Sequence, residues 1–218
     1  MSSTASSSLP SSPDNPRKLA LRERVDTTLE EIERWRRFNA AYHDDDRKFM
    51  RFLIPPGKRV LELGCGSGSP ETQRLAERFR LTGVDISPRQ VERARAAVPG
   101  AEFLCADFTE LELPESSFDA VVSFYVFNHV PRDLLAPLLE RIHGWLVPDG
   151  WLLTAFGVSD TEGWTGEWLG AETFFSSFPA ETNSRLVRVA GFAVERDEVI
   201  TFEEPEGPAS FQWVLAQA

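Results

Sequence analysis

The sequence predicts an α/β domain built on a mostly parallel sheet with helices on both faces, and three observations carry that expectation. The stretch Val60–Pro70 (Val-Leu-Glu-Leu-Gly-Cys-Gly-Ser-Gly-Ser-Pro) reads as a buried strand running into a tight turn and then a helix start. Further strand and helix segments alternate after it, as expected of parallel strands joined by crossover helices. Two of those strands end in a carboxylate, Asp85 and Asp107.

The elements follow in order. Residues 1–16 are rich in Ser, Thr and Pro, without a basic or an apolar leader region, and predict a disordered tail rather than a signal peptide. Residues 17–54 predict a helical cap. Leu21, Val25, Leu29, Ile32 and Trp35 recur at helical steps within Lys18–Ala41, and Asp44 caps a second helix through Leu53. Pro55-Pro56-Gly57 breaks the chain, and residues 55–218 make up the expected sheet domain.

In the glycine turn, Gly64, Gly66 and Gly68 permit positive φ and let a ligand approach the backbone. Ser69 and Pro70 then suit an N-cap and a first helical position, whose unpaired N–H groups favour an anion. Arg80–Asp85 is the second strand, and Ser87-Pro88 opens a helix with Val91, Ala94 and Val98 on one face. Ala101–Asp107 is the third strand, and Phe118–Phe124 is apolar enough to be the central one. Pro131–Leu146 is mostly helix, with Pro137 expected in its true first turn. Asp149-Gly150 turns the chain into a fifth strand, Trp151–Phe156. Gly157–Pro179 then interrupts the alternation. It sets Trp164, Trp168, Phe174, Phe175 and Phe178 among Gly and Ser, and reads as a binding loop or lid, or else as a satellite core. Glu181–Ala190 is helix, and Phe192–Phe202 and Ser210–Gln217 are strands joined by a polar loop.

Composition excludes several classes. No apolar run approaches the roughly 18 residues of a membrane span. The net charge of −11 and the scattered basic residues argue against nucleic acid as a partner. Two cysteines, Cys65 and Cys105, give neither a disulfide framework nor a metal motif and suit a reducing cytoplasm.

Glu62-x-Gly64-x-Gly66-x-Gly68 resembles the first motif of the class I S-adenosylmethionine (SAM)-dependent methyltransferases. A nicotinamide dehydrogenase fingerprint would need glycine where Ser69 stands. Asp85 lies 17 residues beyond Gly68, close to the roughly 20 expected of an acid that binds ribose hydroxyls. Asp107-Phe108 resembles the family's adenine motif, in which the Asp accepts from the amino group and the apolar neighbour packs on the ring.

The resemblance implies a Rossmann-like seven-stranded sheet in the order 3-2-1-4-5-7-6, with the N-terminal helices as a lid. It implies SAM as cofactor, held by Glu62, Gly64, Cys65, Gly66, Gly68, Asp85, Ile86, Asp107, Phe108 and Ser123. It implies methyl transfer by in-line displacement to a small, apolar or aromatic acceptor. The Asn/Asp-Pro-Pro-aromatic tetrad of nitrogen methylases is missing at the end of the fourth strand, where the chain reads Ser123 to Pro131. His129 there is a candidate general base, with a packing or capping histidine as the alternative. Tyr42, Tyr125, Asn128, Trp164, Trp168, Phe174 and Phe175 are the expected acceptor pocket. Other readings stay open: a non-catalytic SAM-binding partner protein, or a protein or RNA methyltransferase.

Overall fold

The computed structural model describes residues 54–168, 170–204 and 207–218. The expectations for the tail, the two cap helices and Tyr42 lie outside the described residues. The first half comprises β1 (Arg59–Leu63), α1 (Pro70–Arg78), β2 (Arg80–Asp85), α2 (Pro88–Ala97), β3 (Glu102–Cys105) and β4 (Phe118–Phe124). A 3-10 turn (Phe127–His129) leads into α3 (Arg132–Trp145) and β5 (Leu146–Gly157). The remainder is β6 (Thr161–Trp168), β7 (Ala171–Ser177), α4 (Ala180–Val189), β8 (Ala193–Glu204) and β9 (Gly207–Gln217).

Seven strands form one sheet in the order β3-β2-β1-β4-β5-β9-β8, and β6 and β7 pair separately. With that inserted pair set aside, the order is the expected 3-2-1-4-5-7-6. The first five strands run parallel, and β9 joins β5 antiparallel from Trp151↔Gln217 to Gly157↔Phe211. The order reverses between β1 and β4, so a crevice opens beyond their carboxyl ends, where ligands bind in open α/β sheets.

Helix starts follow the caps written in the sequence. Ser69 Oγ accepts from Thr72 N ahead of α1, and Ser87 Oγ accepts from Gln90 N ahead of α2. Leu75 and Phe79 of the α1 end pack on Val60, Leu81, Val122 and Leu153. Val91, Ala94 and Val98 pack on Phe103 and Cys65. On the opposite face Leu135, Leu138, Leu139 and Ile142 of α3, with Val187 of α4, cover Leu61, Leu63, Val121 and Leu152. Fully burying each such side chain contributes about 1.5–3 kcal/mol.

Several expectations need correction. The third strand ends at Cys105, short of Asp107, and β5 already begins at Leu146, so Asp149-Gly150 lies within it rather than before it. The helix of residues 131–146 begins at Arg132 rather than at Pro137, since Leu134 N already donates to Pro131 O at 3.0 Å. Pro137 sits inside the helix and removes one backbone bond, a loss offset by the buried leucines around it. The segment Gly157–Pro179 is not an irregular loop: it holds the β6–β7 hairpin. The last two strands extend further than expected, to β8 (Ala193–Glu204) and β9 (Gly207–Gln217), which narrows the polar loop between them.

At the opposite edge from the crevice, Asp119 accepts from Arg59 N at 2.8 Å and pairs with Lys58 Nζ at 3.2 Å. Burial alone would raise its carboxyl pKa. The Arg59 N–H and the Lys58 and Arg59 side chains outweigh burial and hold it below the ordinary carboxylate value. A depressed folded pKa contributes stability that is complete above the ordinary value of about 4. That stability is lost as pH falls through the folded value. Asp119→Asn is expected to lower stability by about 1–2 kcal/mol at neutral pH. Urea unfolding of both proteins at pH 7 and pH 3 checks this, because the gap between them closes on acidification.

Candidate active site at the carboxyl ends of the strands

The glycine turn after β1 is held by the end of β2. Gly64 N and Cys65 N both donate to Val84 O, at 2.8 and 3.0 Å. Gly66 N donates to Asp85 Oδ2 at 2.9 Å. Gly64 has φ 74°, and a Cβ there would stand 2.3 Å from Val126 Cγ2, so no other residue fits. Glu62 is buried and accepts from Thr72 Oγ1 at 3.2 Å, which joins β1 to the first turn of α1. The Cys65 thiol points under Gly83 into the α2 cluster, so only the backbone of Cys65 belongs to the turn. Ser123, fully buried, donates to Leu63 O at 3.4 Å and ties the ends of β4 and β1.

Asp85 stands beside this turn, while Asp107 lies two residues beyond the end of β3. Asp85 is 9% exposed, and its Oδ1 accepts from Ser87 N at 2.9 Å while Oδ2 takes Gly66 N. Each carboxylate oxygen has two acceptor positions, so the group can serve these loops and still meet ligand hydroxyls. Ile86 beside it is half-buried. Asp107 Oδ1 accepts from both Thr109 N (2.9 Å) and Thr109 Oγ1 (2.6 Å). Phe108 departs from its expected part, because its ring is buried in the main core, 6.3 Å from that of Phe127. Little of it is left for a ligand to stack on.

The expected acceptor residues divide into groups. His129, Trp164, Trp168 and Phe175 come together. The His129 ring lies 4.7 Å from Phe175 and 6.4 Å from Trp168, and Trp164 lies 5.8 Å from Phe175. Trp164 pairs opposite Phe175 across the hairpin, and Trp164 and Trp168 share a face by the two-residue strand period. Phe174, one residue away, turns its ring to the other face over Gly163, and contributes its carbonyl instead. That carbonyl stands 3.0 Å from His129 Nδ1.

Tyr125 and Asn128 go elsewhere. Tyr125, at φ 59°, packs edge-on against Phe211 at 4.6 Å and Trp213 at 5.7 Å. Asn128 lines a cavity of about 10 Å³ with Phe156, Ser177 and Asn183, and its buried Oδ1 has no hydrogen-bond partner among the described residues.

Sequence reasoning missed the residues that fasten the hairpin. Ser176 Oγ donates to Val130 O at 2.5 Å, and Arg132 donates to Ser177 O while its guanidinium covers Phe178 at 4.3 Å. With the His129–Phe174 bond, these hold β7 along residues 129–132. The alternation of Trp164, Gly166 and Trp168 ahead of Gly170 was the available signal for the hairpin. Val126, which closes over Gly64, carried no signal at all.

Comparison with known proteins agrees with this geometry. Residues 60–150 match the family model described as a methyltransferase domain. The match covers less than half of the chain, and what it shows is similarity to methyltransferase domains over that stretch. The chain is 38% identical over 108 residues to 2-methyl-6-phytyl-1,4-hydroquinone methyltransferase of Synechocystis sp., covering 47% of this chain and 33% of that protein. It is 38% identical over 93 residues to 27-O-demethylrifamycin SV methyltransferase of Amycolatopsis mediterranei, covering 39% and 34%. The chain thus spans about a third of the length of these two relatives. The fold is similar to that of 1,6-didemethyltoxoflavin-N1-methyltransferase from Burkholderia thailandensis. That protein's structure holds 1,6-didemethyltoxoflavin and S-adenosylhomocysteine, and superposes with a TM-score of 0.64 at 21% identity, covering 96% and 92% of the two chains.

Removing Asp85 leaves the Gly66 and Ser87 N–H groups without their acceptor even when no ligand is present. Asp85→Ala is therefore expected to lose about 2–4 kcal/mol of unfolding free energy, with Asp85→Asn recovering about half. Urea titration of the ligand-free proteins measures it.

Proposed function

We propose that this chain transfers a methyl group from SAM to a small, apolar or aromatic acceptor. SAM, when bound, supplies an electrophilic methyl on a sulfonium. The residues at the crevice suit that nucleoside. Gly64, Gly66 and Gly68 keep the turn bare of side chains, Asp85 accepts from the ribose hydroxyls, and Asp107 accepts from the adenine amino group. Residues 55–218 are read as the SAM-binding domain, 17–54 as its cap and 1–16 as a tail. A cytoplasmic setting is part of the reading. No helix among the described residues is long and apolar enough to cross a membrane.

The observation that carries the acceptor side is the bond between His129 Nδ1 and the Phe174 carbonyl. A carbonyl only accepts, so Nδ1 donates to it and the ring is held at that nitrogen. The rings of Phe175 and Trp168 stand beside it, and Trp164 is 48% exposed at the outer end of the same face. Such a face takes a planar acceptor and attracts a sulfonium cation. His129 then accepts the acceptor's proton as the nucleophile attacks, while the aromatic wall excludes water and aligns attack with the S–CH3 bond. The relatives above are named for a hydroquinone and a rifamycin, which is consistent with acceptors of this kind.

A screen of SAM consumption over hydroquinones, phenols and heteroaromatic amines tests the activity. On an acceptor so found, His129→Ala is expected to lower kcat by about 10²–10⁴-fold with SAM affinity unchanged. The residual rate rises with pH as the acceptor ionises unaided. If His129→Ala and Trp164→Ala both leave kcat and acceptor KM at wild-type values, the acceptor lies elsewhere.

A further inference from the structure

The loop between β3 and β4 holds Asp107 more firmly than a turn requires. An Asp that merely forms a turn needs one hydrogen bond, from the backbone two residues on. Here Thr109 gives both its N–H (2.9 Å) and its hydroxyl (2.6 Å) to the same oxygen, Oδ1. Asp107 Oδ2 takes no hydrogen bond from the described residues. Thr109 is itself buried, and its carbonyl accepts from Arg141 of α3. Arg141 has a nearby acid in Glu112, but that contact is 3.9 Å long and Glu112 is 83% exposed. Its guanidinium is instead drawn far enough inward that Nε is buried with no partner among the described residues. That is a desolvation cost which a surface arginine avoids. The α3 helix thus reaches across to brace the loop that carries the acid.

We infer that Thr109 and Arg141 are positioning residues for the nucleobase. Arg141 fixes the Thr109 carbonyl, Thr109 fixes Asp107 Oδ1, and Oδ2 is thereby presented to an exocyclic amino donor. The pair sets the preference for adenine over hypoxanthine, whose 6-oxo group meets the carboxylate with an acceptor. The inference rests on the reading of Asp107 as an adenine contact, and it concerns how that contact is held rather than whether a nucleoside binds.

The experiment is calorimetric titration of the whole chain with S-adenosylhomocysteine and with S-inosylhomocysteine. Wild type is expected to bind the adenosyl compound tighter by about 10–100-fold, the usual scale for a mispaired buried acceptor. Thr109→Val keeps the shape but removes the hydroxyl. It is expected to cut that ratio by about 5–10-fold, through weaker adenosyl binding at unchanged inosyl affinity. Arg141→Met acts from a different element and should cut the ratio in the same way, and Thr109→Ser should restore it. A general loosening would weaken both nucleosides alike. If Thr109→Val and Arg141→Met keep the wild-type ratio while Asp107→Ala loses it, the inference is overturned and the adenine contact stands. If wild type binds neither compound, or Asp107→Ala leaves the ratio intact, the underlying reading fails as well.

Discussion

The carboxylate of Asp85 joins three pieces of chain that would otherwise be separate. It ends β2, takes the Gly66 N–H of the turn after β1, and takes the Ser87 N–H that opens α2. Because β1 and β2 pair in parallel register, Glu62 lies opposite Gly83 and the two loops leave the sheet side by side. One buried acid can therefore serve both. The geometry of the glycine turn depends on that bond, since a backbone N–H buried here without an acceptor costs about 1–3 kcal/mol. The acid proposed to bind ribose is thus also the acid that shapes the cradle. Loss of ligand affinity at this position needs a stability measurement beside it.

A second constraint sets the other wall. The 3-10 turn after β4 carries Val126 over Gly64 at one end and His129 at the other. The β6–β7 hairpin is fastened to residues 129–132 through Phe174 O, Ser176 and Arg132. One short segment therefore links the nucleoside turn to the aromatic face. Asn183 anchors the base of the hairpin by donating to Gly157 O and Phe178 O. These ties fasten the hairpin to the segment that carries His129.

Local chemistry explains which parts were legible in the sequence. The turn of Gly64, Gly66 and Gly68 and the Ser-Pro caps at 69–70 and 87–88 act through their own backbone, so their residue types announce them. The two strand-end acids were readable for the same reason. Phe108 was not, because its burial against Phe127 depends on a residue distant in sequence. Tyr125 and His129 lie close together on the chain, yet the positive φ at Tyr125 sends its ring toward β9 while His129 turns to the hairpin. Pro137 misled because helix-breaking is a local tendency, and here the burial of Leu135, Leu138 and Leu139 overrides it. The hairpin was hidden by glycines, and these turn out to lie under aromatic rings, Gly163 beneath Phe174 and Gly166 beneath Trp164. Aromatic cover of strand glycines is a known compensation, visible only once the strands are paired.

The crevice beyond β1 and β4 is read as a SAM nucleoside site. Titration calorimetry of the purified chain with S-adenosylhomocysteine and, separately, with a nicotinamide dinucleotide tests it most directly. Saturable one-to-one binding of S-adenosylhomocysteine that Asp85→Asn weakens is expected, with no heat from the dinucleotide. Binding of the dinucleotide with none of S-adenosylhomocysteine would contradict it.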